Sequence, residues 1–185
     1  NYDEVELFVN GKSQGKRTFA QKKAEYKDKM EEWQNQVERL RLIWNEVVYE
    51  PGEITAVAYK DGKEAERKTI KTASEPYAIK LSAYSDKITA DGESLNYITA
   101  EIVDKDGNLC PNADNRITFT SNEIAEVYAT DAGDQRETET FLRPDKKAMS
   151  GMVVAVIRAT DKKGEAKITA TADGLISGEV TFICE

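Results

Sequence analysis

The chain has 185 residues, 26 Lys and Arg against 34 Asp and Glu, a net charge of −8, two cysteines and no histidine. Lacking histidine, it lacks the usual general base near neutral pH, the Ser-His and Cys-His nucleophile pairs and the commonest transition-metal ligand, which excludes triad hydrolases and zinc enzymes. The acidic balance argues against nucleic acid or an anionic membrane as partner, and the longest strongly apolar run, Met152 to Ile157, falls far short of the ~20 residues of a membrane helix, so no membrane insertion is expected.

The sequence opens at Asn1 without an initiator methionine or a charged-then-apolar leader, as expected of a piece of a longer protein. Val5, Leu7 and Val9 alternate with Glu6 and Phe8 and run into Asn10-Gly11. That pair is the strongest short hairpin signal, because both turn positions need a positive φ. Ala20 to Arg41 then contains neither Gly nor Pro, and Tyr26, Met30, Trp33, Val37, Leu40 and Trp44 fall alternately four and three apart. This spacing predicts a helix over about 22–41, inserted between strands. Its apolar stripe is expected to pack on its own sheet. The sharper alternative is that Trp33 and its neighbours dock against another domain or subunit.

Strand patterning resumes at Ile54 to Tyr59, turns at Asp61-Gly62 and returns through Glu64 to Thr72. Thr72 to Pro76 is short, polar and closed by a proline, so a boundary is expected there, giving domains 1–73 and 74–185. Beyond it, Ile98 to Val103 leads to Asp106-Gly107, and Val153 to Ala159 leads to a turn at Asp161 to Gly164. Ala166 to Ala172 meets Asp173-Gly174, and Gly178 to Ile183 closes the chain. Short strands with frequent turn signals predict an all-β fold of two immunoglobulin-like β-sandwich domains, the first carrying the helical insert.

Carboxylate chemistry survives the absence of histidine. Glycosidases need two carboxyl groups roughly 5–9.5 Å apart in a cleft, one with a raised pKa. Glu46, Glu50 and Glu53 surround Tyr49-Glu50-Pro51-Gly52, and Asp131 and Asp134 flank Ala132-Gly133. Both groups read as turn chemistry, in which a side chain bonds nearby backbone. Asp104-Lys105-Asp106-Gly107-Asn108 resembles the start of a calcium loop, but the chain breaks into Leu109-Cys110-Pro111 where further ligands would fall. A hairpin turn is the preferred reading, with a weak calcium site as the alternative. Cys110 and Cys184 allow one disulfide or two thiols, and thiols are expected. Trp33, Trp44, Tyr49, Tyr59 and Tyr84 are expected to be mainly core residues. An exposed, coplanar pair among them would instead mark a sugar-stacking face. No residue is assigned a catalytic, cofactor-binding or metal-ligating role, and no cofactor is expected.

Two stretches of the first part carry a family resemblance. Glu4 to Ser13 and Arg41 to Tyr59 resemble a C-terminal domain of bacterial glycoside hydrolase family 2 β-galactosidases. Ala90 to Leu95 and Val103 to Asp114 are similar to the immunoglobulin-like domain that follows it in such enzymes. The chain departs from the family at Asp131-Ala132-Gly133-Asp134, where Asp-Asn-Gly-Asp is usual, and at Ala148-Met149-Ser150-Gly151, where Ala-Phe-x-Gly is usual. In that family two glutamates on a preceding TIM barrel perform hydrolysis, so the resemblance implies a non-catalytic region of a periplasmic or extracellular enzyme of carbohydrate metabolism. It would support the barrel, shape the cleft rim or make subunit contacts, its partners being the parent's other domains and a second subunit reached through the helix around Trp33. The alternatives are a carbohydrate-binding module, with glycans as partners, and a cell-surface adhesion module.

Overall fold

Positive-φ turns and period-two alternation divide the chain into short strands. The computed structural model describes residues 2–25 and 40–185 and divides into two units, Asn1–Thr72 and Ala73–Glu185.

In the first unit, β1 (Glu4–Val9), β2 (Lys12–Thr18), β3 (Glu53–Lys60) and β4 (Lys63–Lys71) form one sheet in the order β2-β1-β3-β4. Two of its connections are the expected tight turns: Asn10 and Gly11 take φ of 48° and 76°, and Asp61 and Gly62 take 49° and 74°. Directly paired residues share a face of a sheet. Val5, Leu7 and Val9 therefore stand beside Ala58, Ala56 and Ile54 on one side. The other side carries Glu4, Glu6 and Phe8 beside Tyr59, Val57 and Thr55. There Lys16 pairs with Glu4 at 2.8 Å and sits 4.2 Å from the Tyr59 ring centroid. The edge strand β4 is exposed along its whole length and rich in Lys and Glu, which discourages further strands from adding to it.

The helix α1 (Phe19–Glu25) follows β2 directly. It begins before the expected start at residue 22 because Thr18 and Gln21 close a capping box: Gln21 N donates to Thr18 Oγ1 and Thr18 N to Gln21 Oε1, both at 3.1 Å. Leu40 lies in a turn and Arg41 in irregular chain, so the described end of the expected helix is not helical. The remainder of that expectation, including Tyr26, Met30, Trp33 and Val37, lies outside the described residues.

The second unit is an immunoglobulin-like sandwich. One sheet runs β5 (Ala78–Ala83), β7 (Leu95–Val103), β11 (Met152–Ala159), β9 (Ala125–Asp131) in space. The other runs β10 (Asp145–Lys147), β8 (Arg116–Ser121), β12 (Gly164–Thr171), β13 (Gly178–Cys184), β6 (Lys87–Ile88). Strand β11 alternates without a break between half-buried and buried positions. Val153, Ala155 and Ile157 from it, Ile98 and Ile102 from β7, Ile117 from β8 and Ile168 from β12 are all fully buried between the sheets. The opening strand changes sheets: β5 pairs antiparallel with β7, and β6 pairs parallel with β13. Buried Asn96 holds the crossing. Its Oδ1 accepts from Ser85 N at 3.1 Å and its Nδ2 donates to Ser85 O at 2.8 Å, which satisfies a side chain that would otherwise be costly to bury.

Candidate functional site

The concave feature that gathers sequence-predicted residues lies in the first unit, in a cleft of about 360 Å³. Its lining combines Val9 and Asn10 at the end of β1, Lys12 and Gln14 of β2, and Glu46, Val47, Val48 and Glu50 from the segment before β3. Asn10 builds this arrangement. Its Oδ1 accepts from Glu53 N at 2.8 Å, and its Nδ2 donates to Pro51 O at 3.1 Å and to Glu50 Oε2 at 3.5 Å. A Cβ on Gly52, whose φ is 135°, would come within 1.9 Å of Asn10 Oδ1. Glycine there is what lets the hairpin turn and the Glu-Pro-Gly loop close on each other.

Of the three candidate glutamates, Glu46 and Glu50 share the cleft, while Glu53 begins β3 and is bonded there through its backbone. Gln14 Nε2 donates to Lys12 O at 3.2 Å, and Lys12 forms no ion pair among the described residues. The loop also holds Trp44, half-buried, whose Nε1 donates to Gly15 O at 3.2 Å. Glu46 and Glu50 stand out in the sequence as neighbouring carboxylates, whereas Lys12 and Gln14 do not. The Asn10-Gly11 signal was the clue, since that turn brings β2 alongside β1 and within reach of the loop.

The remaining candidates are structural. Asp104 is 3% exposed, and its carboxylate is fully engaged by protein donors. Ser74 N reaches Oδ2 at 2.9 Å, Asp106 N and Asn108 N reach Oδ1 at 3.0 and 2.8 Å, and Asn108 Nδ2 adds to both oxygens. Donation from Ser74 N–H above all, then from the Asn108 side chain, lowers its pKa to about 2. This is a turn that also pins the start of the second unit. Asp134 is likewise held at about 2, chiefly by the Arg136 side chain, and Asp131 accepts from Gly133 N at 3.0 Å; both do the turn work expected. Among the described residues no group of three or more His, Cys, Asp or Glu could hold a metal ion. Cys110 and Cys184 are buried free thiols, and burial raises the pKa of each, the opposite of an activated nucleophile.

Among the aromatics, Tyr49 and Tyr84 are 74% and 84% exposed, but they belong to different units. Tyr84 meets Tyr97 edge-on at 87° rather than extending it into a platform. Tyr59 is half-buried and bonded to Glu6 at 3.3 Å. Of the described members of the set, Tyr49 is the exposed one in the first unit and Tyr84 the exposed one in the second, so neither unit holds two exposed members; Trp33 lies outside the described residues.

An arginine–carboxylate lattice escaped sequence reasoning. Arg116 reaches Glu139 and Asp145 at 2.8 Å each, and Arg143 reaches the same two residues at 3.2 and 2.9 Å. Beside it Lys146, 1% exposed, points at the Glu139 and Thr140 carbonyls at 3.5 and 3.4 Å. It pins the loop between β9 and β10, with Thr130 Oγ1 donating to Arg143 O at 3.0 Å. These residues are far apart in sequence or scattered in a loop, and no spacing rule joins them.

Residues 79–181 match the family described as glycoside hydrolase family 2 C-terminal domain 5, and residues 1–66 match a domain of unknown function, DUF4982. The β-galactosidase BoGH2A of Bacteroides ovatus is 38% identical over 173 residues, covering 94% of this chain and 18% of that protein. A solved glycosyl hydrolase family 2 member from Bacteroides cellulosilyticus is 29% identical with a TM-score of 0.80, covering all of this chain and 22% of its own. A β-glycosidase from Bacteroides vulgatus has the same fold, with a TM-score of 0.82 at 24% identity. The chain thus spans about a fifth of the length of these relatives.

Proposed function

The chain belongs to the glycoside hydrolase family 2 C-terminal domain 5 family, and from that premise we propose that it is a non-catalytic accessory region of a bacterial β-galactosidase-like enzyme. The observation that carries this reading is the pattern of coverage. Nearly all of this chain aligns with only 18% of a β-galactosidase, so most of the relative lies outside the match. The carboxylates support it. Asp104, Asp134, Glu139 and Asp145 have pKa values lowered by donors and arginines, whereas an acid catalyst in a glycosidase needs one that is raised. In this reading the two units support the catalytic barrel, line the cleft rim or form subunit contacts, in a periplasmic or extracellular enzyme. The contact expected around Trp33 falls outside the described residues.

The test has two arms. The 185-residue chain alone is assayed on nitrophenyl β-galactoside and β-glucuronide, with no turnover expected. Hydrolysis that disappears with Glu46→Gln or Glu50→Gln overturns the reading. The parent enzyme is then compared with and without this region, and a loss of thermal stability or a changed oligomeric state is expected. Unchanged activity, stability and assembly would remove any supporting role.

A further inference from the structure

The cleft of the first unit has a chemistry that the supporting role does not require. Its volume of about 360 Å³ lies within the range of small-molecule sites. Its polar groups are of both kinds. Lys12 only donates, Glu46 and Glu50 only accept, and Gln14 can do both, its Nε2 donating to Lys12 O at 3.2 Å. Val9, Val47 and Val48 add apolar residues to the lining.

An anion would meet Lys12 but also two carboxylates. A divalent cation would find no three-ligand cluster among the described residues. A wholly apolar ligand would strip water from Lys12, Glu46 and Glu50 without replacing it, which is costly. A neutral polyol answers every feature. Its hydroxyls donate to the carboxylates and accept from the ammonium and the amide, and its C–H faces rest on the valines.

We propose that this cleft binds a neutral mono- or disaccharide. The choice of galactose as first probe rests on the accessory-region reading; the cleft chemistry does not. The binding is weak by construction, because the cleft is open and contains no aromatic platform, so a millimolar Kd is expected.

The test is a ¹⁵N–¹H NMR titration of the full 185-residue chain with galactose, glucose and lactose to roughly 100 mM, well above a millimolar Kd. Glycerol and glucuronate at equal concentration serve as comparators. Saturable shifts confined to the amides of Gln14, Glu46, Val47 and Val48 are expected. Lys12→Ala and Glu46→Gln should each weaken binding about tenfold, the worth of one hydrogen bond to a charged group. Their unfolding temperatures should be unchanged, since both residues are exposed. Gln14→Ala provides a third, independent variant. No shifts, shifts scattered over other surfaces, equal shifts with glycerol (an adventitious polyol only) or a preference for glucuronate each overturn the proposal. The deletion of this region from the parent reports on the accessory reading separately, so one can fail while the other stands.

Discussion

In the second unit Phe119 and Ile168 are 1% and 0% exposed between two sheets that cover each other. In the first, the fully buried apolar side chain among the described residues is Val57, with Val9 and Ala58 close behind at 8% and 9%. Its sheet is held as much by polar ties: the Asn10 clasp on Pro51 and Glu53, the Thr55–Thr69 hydroxyl pair at 2.8 Å, and Tyr2 bonded to Glu66. The contrast shows two ways to order an antiparallel sheet. Stacked sheets gain from apolar area removed from water, which is non-directional and large. A thinly covered sheet depends on a few directional contacts, each worth little alone and each easily broken.

That difference predicts where each unit fails. The largest effect is expected from Phe119→Ala, which empties the sandwich core and should cost ~3–5 kcal/mol. Chemical denaturation followed by NMR should show amides of the second unit exchanging while the Asn10 turn keeps its shifts. Loss of both together would mean that the units are not energetically separate.

Asp104→Asn comes next and carries a pH signature. The folded pKa of about 2 lies below the ordinary Asp value of roughly 3.9, so the carboxylate stabilises the fold above about pH 4, and that contribution disappears as pH falls toward 2. The stability gap between wild type and Asp104→Asn should therefore be full at neutral pH and close on acidification. A gap independent of pH would mean that the charge contributes nothing.

In the first unit, Gly52→Ala should cost ~1–3 kcal/mol, because it places a Cβ against Asn10 Oδ1 in a backbone region that disfavours side chains. The signature is a local loss of protection at Glu53 N–H, with the second unit untouched. The smallest effect is expected from Thr18→Ala, which opens the capping box and should cost ~1 kcal/mol. It should lower helical signal from α1 without altering the β2 strand; a global shift in unfolding would show that α1 is integral to the sheet.

Much of the fold was legible in the residues. Asn10-Gly11 and Asp61-Gly62 announced turns that the structure contains at positive φ, and the apolar run of Val153 to Ala159 before the turn at Asp161 to Gly164 announced a strand, although which of its residues are buried does not show in a run so uniformly apolar. The helix start was legible too, in Thr18 and Gln21, although the apolar spacing pointed later. The candidate site was legible only in part. Glu46 and Glu50 stood out as a carboxylate pair, but Lys12 and Gln14 are some thirty residues away and reach the cleft only through the sheet.

What the sequence determined by itself was local: where strands begin and end, which turns are tight, and the family resemblance carried by contiguous stretches such as Arg41 to Tyr59. These depend on backbone sterics and on nearest neighbours, which travel with the residues. What only the tertiary structure decided was partnership. The turns after Lys60 and after Thr171 join strands paired in one sheet. The similar signals at Asp106-Gly107 and at Asp161 to Gly164 instead carry the chain from one sheet to the other. The same is true of Asp104, whose neighbours suggested an isolated turn and whose strongest donor is Ser74. A turn residue specifies that the chain reverses; which sheet receives the returning strand depends on where its apolar face can be buried, and that is settled by residues distant in the chain.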